Sequence, residues 1–272
     1  PSTIEVRMNE LNSAPIAILL EEAQKIRNAS FGKRVTYSPK VFIPLTHLCR
    51  DKCGYCTFAQ PPARLDAPYL SPEQILKIAS EGARSGCHEA LFTLGEKPEL
   101  RYPTAQKWLT SNGYDSTIHY LYEMAKLVIE ETGLLPHANA GAISSEELSD
   151  LREVSPSQGM MIESLNPDLE CHQGSPDKEP WRRIETLKAA GELKIPFTTG
   201  VLVGIGESKK DRIDALESEV RRLVLEVRRL SGNQGSAYSG GDVMEAMRMA
   251  DQYVLDKARL DMELKAIYEG RG

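Results

Sequence analysis

Val41-Phe-Ile-Pro-Leu45 and Ser71-Pro-Glu-Gln-Ile-Leu-Lys-Ile-Ala79, taken as one unit, decide the fold. The first is a short apolar run that predicts a buried strand. The second opens like a helix. Ser71 can cap it, Pro72 occupies the first helical position, and Gln74 can reach back to complete a capping box. Ile75, Leu76, Ile78 and Ala79 supply a buried face, and Gly82 and Gly86 are placed to close the helix. Between the two lies a loop containing Pro61, Pro62 and Pro68. The unit is therefore strand, loop, helix.

The unit recurs along the chain. Ala90-Leu-Phe-Thr-Leu94 predicts a second strand, followed by a helix from about Ser116 to Glu131 that Gly133 can end. Leu134 to Ala138 predicts a third strand, and Ser144-Ser-Glu-Glu147 is another capping box opening a short helix. Gly159 to Ile162 and Phe197 to Val203 predict strands four and five, with a helix over Trp181 to Ala190 between them. Alternating strands and helices imply an α/β fold with a parallel sheet, either a β/α barrel or a doubly wound sheet. In a β/α barrel, chemistry sits on loops at the C-terminal ends of strands, here 46–60, 95–104, 139–143, 163–175 and 204–208.

The flanks differ from this core. Residues 11–27 carry a short amphipathic pattern (Leu11, Ile16, Leu19, Leu20, Ile26). Beyond Ser208, Ile213, Leu216, Val220, Leu223, Val227 and Leu230 form a heptad-like stripe. A Gly/Ser-rich linker over Ser231 to Gly241 and a Met-rich amphipathic segment over Asp242 to Glu269 follow. No strand pattern appears beyond Val203. The expected organisation is a helical lead-in over 1–34, a β/α core over 35–208 and a helical tail over 209–272.

Composition narrows the function classes. At 41% hydrophobic and 26% charged, the 272 residues suit a globular chain with a sizeable core. The formal charge of −6 argues against a general nucleic-acid binder. No run reaches the length of a membrane span, and Pro1 to Glu10 lacks the pattern of a secretory signal. Five cysteines, three of them within eight residues, do not form a secreted disulfide framework, and a reducing cytoplasm is the expected setting.

Those three are Cys49, Cys53 and Cys56, spaced C-x3-C-x2-C directly after the first strand. Thiolates so spaced on one loop can converge on a soft metal centre. Electron-transfer cubanes usually take four cysteines, so three leave one iron open for a substrate ligand. Arg50 and Lys52 bring positive charge beside an anionic cluster. Two blander readings stand next to this one. Structural zinc could take the three cysteines plus His47, although zinc sites more often use paired C-x2-C units. A chance group of buried thiols fits poorly with Arg50, Asp51 and Lys52 lying between them. Cys87 and Cys171 are isolated and read as structural.

The cysteine loop, with Tyr55 before its last cysteine, resembles that of the radical S-adenosylmethionine (SAM) enzymes. The resemblance implies a partial parallel β/α (TIM-like) barrel and a 4Fe-4S cluster on Cys49, Cys53 and Cys56. It implies that the open iron chelates S-adenosylmethionine, whose reductive cleavage gives a 5′-deoxyadenosyl radical. Thr93-Leu-Gly-Glu96 stands where the family carries a Gly-Gly-Glu element, with Leu94 replacing one glycine. Gly200-x-Leu202-x-Gly204-x-x-Glu207 resembles the family's G-x-I-x-G-x-x-E element. By this resemblance Tyr55, Gly95, Glu96, Asn139, Glu163 and Gly204 seat the cofactor. No side-chain nucleophile is required, and no catalytic side chain is assigned.

Within that superfamily, Phe42 to Ala59, Thr93 to Glu99, His137 to Gly141, Gly159 to Ser164 and Thr199 to Ser208 resemble the FO synthase subunit 1 family, over about residues 35–208. This implies closure of an adduct of a tyrosine-derived fragment and ribitylaminouracil, with loss of ammonia, to a deazaflavin. The implied partners are the small-molecule deazaflavin precursor, a reductant for the cluster and a second FO synthase subunit. The tail departs from the family: Lys209 to Leu216 suits its next helix, but no sixth strand follows. Another radical SAM enzyme on an aromatic-derived substrate, or a metal-stabilised or truncated protein without turnover, are the alternatives.

Overall fold

The computed structural model describes residues 14–35, 37–212, 214 and 215. Ser38–Val220 form one compact unit, and α1 (Ile16–Phe31) belongs to another. The expected helix over 11–27 corresponds to α1, shifted toward Gly32, and residues 11–13 lie outside the described residues. The sequence expectations for the tail beyond 215 also lie outside them.

The compact unit is built on five parallel strands in the order β1 (Lys40–Thr46), β2 (Glu89–Leu94), β3 (Leu135–Asn139), β4 (Ser157–Gly159) and β5 (Phe197–Thr198). Neighbouring strands are sequential, the order of a β/α barrel and not of a doubly wound sheet. Their crossovers contain α2 (Pro72–Arg84), α3 (Pro103–Ser111), α4 (Thr117–Thr132), α5 (Ser145–Arg152) and α6 (Pro180–Glu192). Among the described residues the sheet stays open: β1 pairs only with β2 and β5 only with β4. This is the expected partial parallel β/α barrel.

The two capping boxes form as the sequence predicts. Ser71 and Gln74 exchange bonds at the start of α2, and Ser144 and Glu147 do so at the start of α5. Gly133, with φ 69°, closes α4. α2 runs through Gly82 to Arg84, because Gly82 lies against Val41 of β1 and lets helix and strand meet closely. The main core sits between sheet and helices, around Ile43, Leu45, Phe92, Ile75, Leu121 and Val128, all fully buried.

Three elements differ from the sequence expectation. β4 occupies 157–159 and not 159–162. Met160 and Ile162 are buried, but in a small second cluster with Ala142 and Leu187 just past the ladder. The apolar run therefore reports burial and not pairing. β5 stops at Thr198, and pairing resumes only as a single bridge between Glu163 and Val201 beyond Gly200. α3 was not expected; it buries only Ala105 and Leu109, too narrow a face to show as periodicity.

Candidate active site at the C-terminal ends of the strands

The cysteine loop leaves β1 and is clamped to the end of β2. The Arg50 N–H donates to the Glu96 carbonyl (2.9 Å), and the Glu96 N–H points at the Cys49 sulfur (3.3 Å). Gly95 makes this approach possible. A Cβ there would stand 2.0 Å from the Leu48 carbonyl oxygen and 2.6 Å from the Cys49 Cβ. Arg101 secures the other side, its Nη1 donating to the carbonyls of Cys49, Arg50 and Asp51 at 3.1–3.2 Å.

Glu96 is buried at the middle of the site. One carboxylate oxygen accepts the Ala142 N–H (3.1 Å), and the other accepts Arg183 Nη1 (2.9 Å). Gly141, with φ +79°, lies directly against this side chain, and a Cβ there would fall 2.2 Å from the Glu96 carboxyl carbon. Arg183, 2% exposed, also donates to the carbonyls of Met161 (2.7 Å) and Asp177 (2.9 Å). Burial works against its charge, but Glu96 beside it more than offsets that and holds its pKa up. Lys178 lies 3.1 Å from Glu163 and 3.9 Å from Glu96. Glu163, four residues past β4, has φ 64°, a left-handed turn of the chain, and its carboxylate meets Lys178.

A second carboxylate pair lies behind. Asp177 is fully buried and ion-paired to Arg50 (3.3 Å) and Arg182 (3.0 Å), and its N–H donates to Asp51 Oδ1 (3.1 Å). Asp51 Oδ2 has no hydrogen-bond partner among the described residues. Burial, then the charge of Glu96, push the Asp51 carboxyl up to about 6. Asp51, Glu96, Glu163 and Asp177 thus face Arg50, Lys178, Arg182 and Arg183. Buried charge persists only when matched in this way.

The loop after the fourth strand straps the cysteine loop down. The Lys52 N–H donates to Ser175 Oγ (2.9 Å), the Gly54 N–H to the Cys171 carbonyl (2.8 Å), and the Tyr55 hydroxyl meets His172 Nε2 (3.2 Å). Cys53 Sγ lies 3.7 Å from Ser175 Oγ. Cys49 and Cys53 are partly buried, Cys56 is exposed, and all three are free thiols. Burial pushes the Cys49 thiol up to about 12 and raises that of Cys53.

Three soft sulfur donors on one loop, one held by a peptide N–H and one by a hydroxyl, suit an iron–sulfur cluster. A tetrahedral zinc ion would instead draw its thiolates to ~3.8 Å of one another, given a Zn–S distance of ~2.3 Å. Among the described residues, the one trio of His, Cys, Asp or Glu ligand atoms gathered to within 4.8 Å is Asp51, Glu96 and Asp177, not the three sulfurs. His47 Nδ1 is engaged with the Phe58 carbonyl (2.9 Å).

The structure thus brings Cys49, Cys53, Tyr55, Gly95, Glu96 and Glu163 into one connected network. Asn139 ends β3 opposite Thr93, and its side chain makes no hydrogen bond or ion pair among the described residues. Gly204 donates its N–H to Glu207 (2.9 Å) within its own loop. That bond, with the Ile205 N–H and Arg212, holds the Glu207 carboxyl down to about 2. The sequence reading missed Arg183, Lys178, Asp177, Asp51, Arg101, His172 and Ser175. Their partners lie far away in sequence, where spacing carries no signal.

The Radical SAM superfamily profile matches residues 43–218. The chain belongs to the radical SAM superfamily. It is 53% identical over 226 residues to an FO synthase of Mycobacterium leprae, covering 76% of this chain and 26% of that protein. It is 47% identical over 194 residues to the 7,8-didemethyl-8-hydroxy-5-deazariboflavin synthase of Methanopyrus kandleri, covering 70% and 58%. This radical SAM chain therefore spans between about a quarter and three fifths of these relatives' lengths. Its fold is shared with the FeFe-hydrogenase maturase HydG of Carboxydothermus hydrogenoformans (TM-score 0.59, 21% identity, 80% of this chain and 46% of that one). Methylornithine synthase is also similar (TM-score 0.56, 20% identity, 83% and 60%).

Proposed function

We propose that this radical SAM enzyme forms the FO deazaflavin chromophore, closing a tyrosine-derived, ribitylaminouracil-bearing adduct with loss of ammonia. The observation that carries this reading is the 47–53% identity to enzymes of that name over 70–76% of this chain. Cys49, Cys53 and Cys56 would hold a 4Fe-4S cluster. When bound, that cluster supplies the electron that cleaves S-adenosylmethionine and starts hydrogen abstraction from the precursor. Glu96 would offer a carboxylate to the cofactor's ammonium, and Arg183 and the Ala142 N–H fix the position of that carboxylate. Glu163, Gly204, Asn139 and Tyr55, with Gly95, would seat the rest of the cofactor. The partners in this reading are the precursor, a reductant and a second FO synthase subunit. Five free thiols suit a reducing cytoplasm.

The test is anaerobic reconstitution with iron and sulfide, followed by reductant, S-adenosylmethionine and the precursor. Release of 5′-deoxyadenosine and deazaflavin fluorescence are expected. In Cys53→Ala, bound iron and 5′-deoxyadenosine release should both fall to background. A wild-type chain that loads iron and cleaves the cofactor, yet gives no deazaflavin from the precursor, would refute the substrate.

A further inference from the structure

Ser175 stands between two groups of the cysteine loop. Its side chain is buried, at 4% exposure, and its Oγ accepts the Lys52 N–H at 2.9 Å. The same oxygen lies 3.7 Å from the Cys53 sulfur. Ser175 cannot drift, because its own N–H donates to the His172 carbonyl (3.0 Å) and its carbonyl accepts the Lys178 N–H (3.0 Å). While Cys53 is a thiol, its S–H donates to the hydroxyl. Once the sulfur binds iron it has lost that hydrogen and can only accept. The Lys52 N–H still occupies one acceptor position on Oγ, so the hydroxyl hydrogen is left for the sulfur.

Resting on the reading that Cys53 ligates the cluster, we propose that Ser175 is a positioning residue that sets the cluster's reduction potential by donating its hydroxyl hydrogen to the Cys53 sulfur. A hydrogen bond to a cluster sulfur draws electron density from it. It stabilises the reduced, more negative cluster over the oxidised one, so the potential rises. The other two ligands differ. The Cys49 sulfur faces the peptide N–H of Glu96, which no side-chain change removes, and Cys56 is exposed. The Tyr55 hydroxyl also reaches Cys53, but it is shared with His172. Ser175 is therefore where a hydroxyl can be deleted at a ligating sulfur without touching a ligand or the Tyr55–His172 contact.

The test compares wild type, Ser175→Ala, Ser175→Gly and Ser175→Thr, each reconstituted anaerobically and titrated potentiometrically without S-adenosylmethionine, with the reduced cluster read by electron paramagnetic resonance. Equal iron content is expected throughout. The potential should move to more negative values in Ser175→Ala and Ser175→Gly, and Ser175→Thr, which keeps the hydroxyl, should restore the wild-type value. An unchanged potential in either loaded hydroxyl-free variant overturns this inference alone. So does failure of both hydroxyl-free variants to take up iron, because Ser175 would then be a support of the loop. A wild-type chain that takes up no iron removes the cluster reading and this inference together.

Discussion

The two halves of the sheet hold their share of the site by different means. On the β1–β3 side, strands of five to seven residues pair along their length, with one register shift between Pro44 and Thr46, and the cysteine loop and Glu96 issue from that frame. On the β4–β5 side the strands are three and two residues long. There Glu163 is held by its backbone bridge to Val201, and it and the loop that follows are tied further by side chains, with Arg183, Lys178 and Asp177 at the centre. One half is placed by long backbone ladders over the main apolar core, the other by short ladders, a small apolar cluster and buried charge. A charge network is directional and gives way as a whole when one member is removed.

Arg183→Ala tests this most severely. Removing one partner from a buried pair costs about 3–5 kcal/mol, and Glu96 would keep only the Ala142 N–H and the more distant Lys178. The loss should appear in denaturant unfolding, and hydrogen exchange should quicken first over 163–178. Exchange that quickens equally in β1 and β2 would break the contrast. Gly95→Ala strikes the other half. Its new Cβ would run into the Leu48 carbonyl, a backbone atom that cannot swing away, so a loss of about 3 kcal/mol is expected. Iron uptake should fall with it, while the 163–178 amides keep more protection than in Arg183→Ala.

The smallest effect is expected at Glu207. Its carboxyl is held at about 2 against an ordinary value of 4.5, chiefly by the Gly204 N–H. A depressed carboxyl contributes stability that is present above the unfolded value and lost as pH falls through the folded one. The 204–207 turn should therefore loosen between pH 4.5 and about 2, seen as amide shifts of Gly204 and Ile205, with the β1–β3 amides unmoved over that range.

What could be read from the sequence follows the same division. Capping residues, Gly133 and the C-x3-C-x2-C spacing act over a few positions, so α2, α4, α5 and the cysteine loop were legible. β4 was misplaced because Met160 and Ile162 are apolar for the sake of a second core and not for pairing. Arg183 looks like any arginine on an amphipathic helix, yet its carboxylate partner lies 87 residues away. Ser175 and His172 sit in an irregular loop with no period to betray them. Their roles exist only once the fold joins distant loops.

That joining bears on the order in which the protein matures. The bonds strapping the cysteine loop connect residues 117 to 126 positions apart. Contacts of such long sequence separation form late, after the loop-closure cost has been met by the rest of the domain. During synthesis the cysteines leave the ribosome well before the segment that braces them. Iron that reached the growing chain before residues 172–177 had emerged would meet a loop without these bonds.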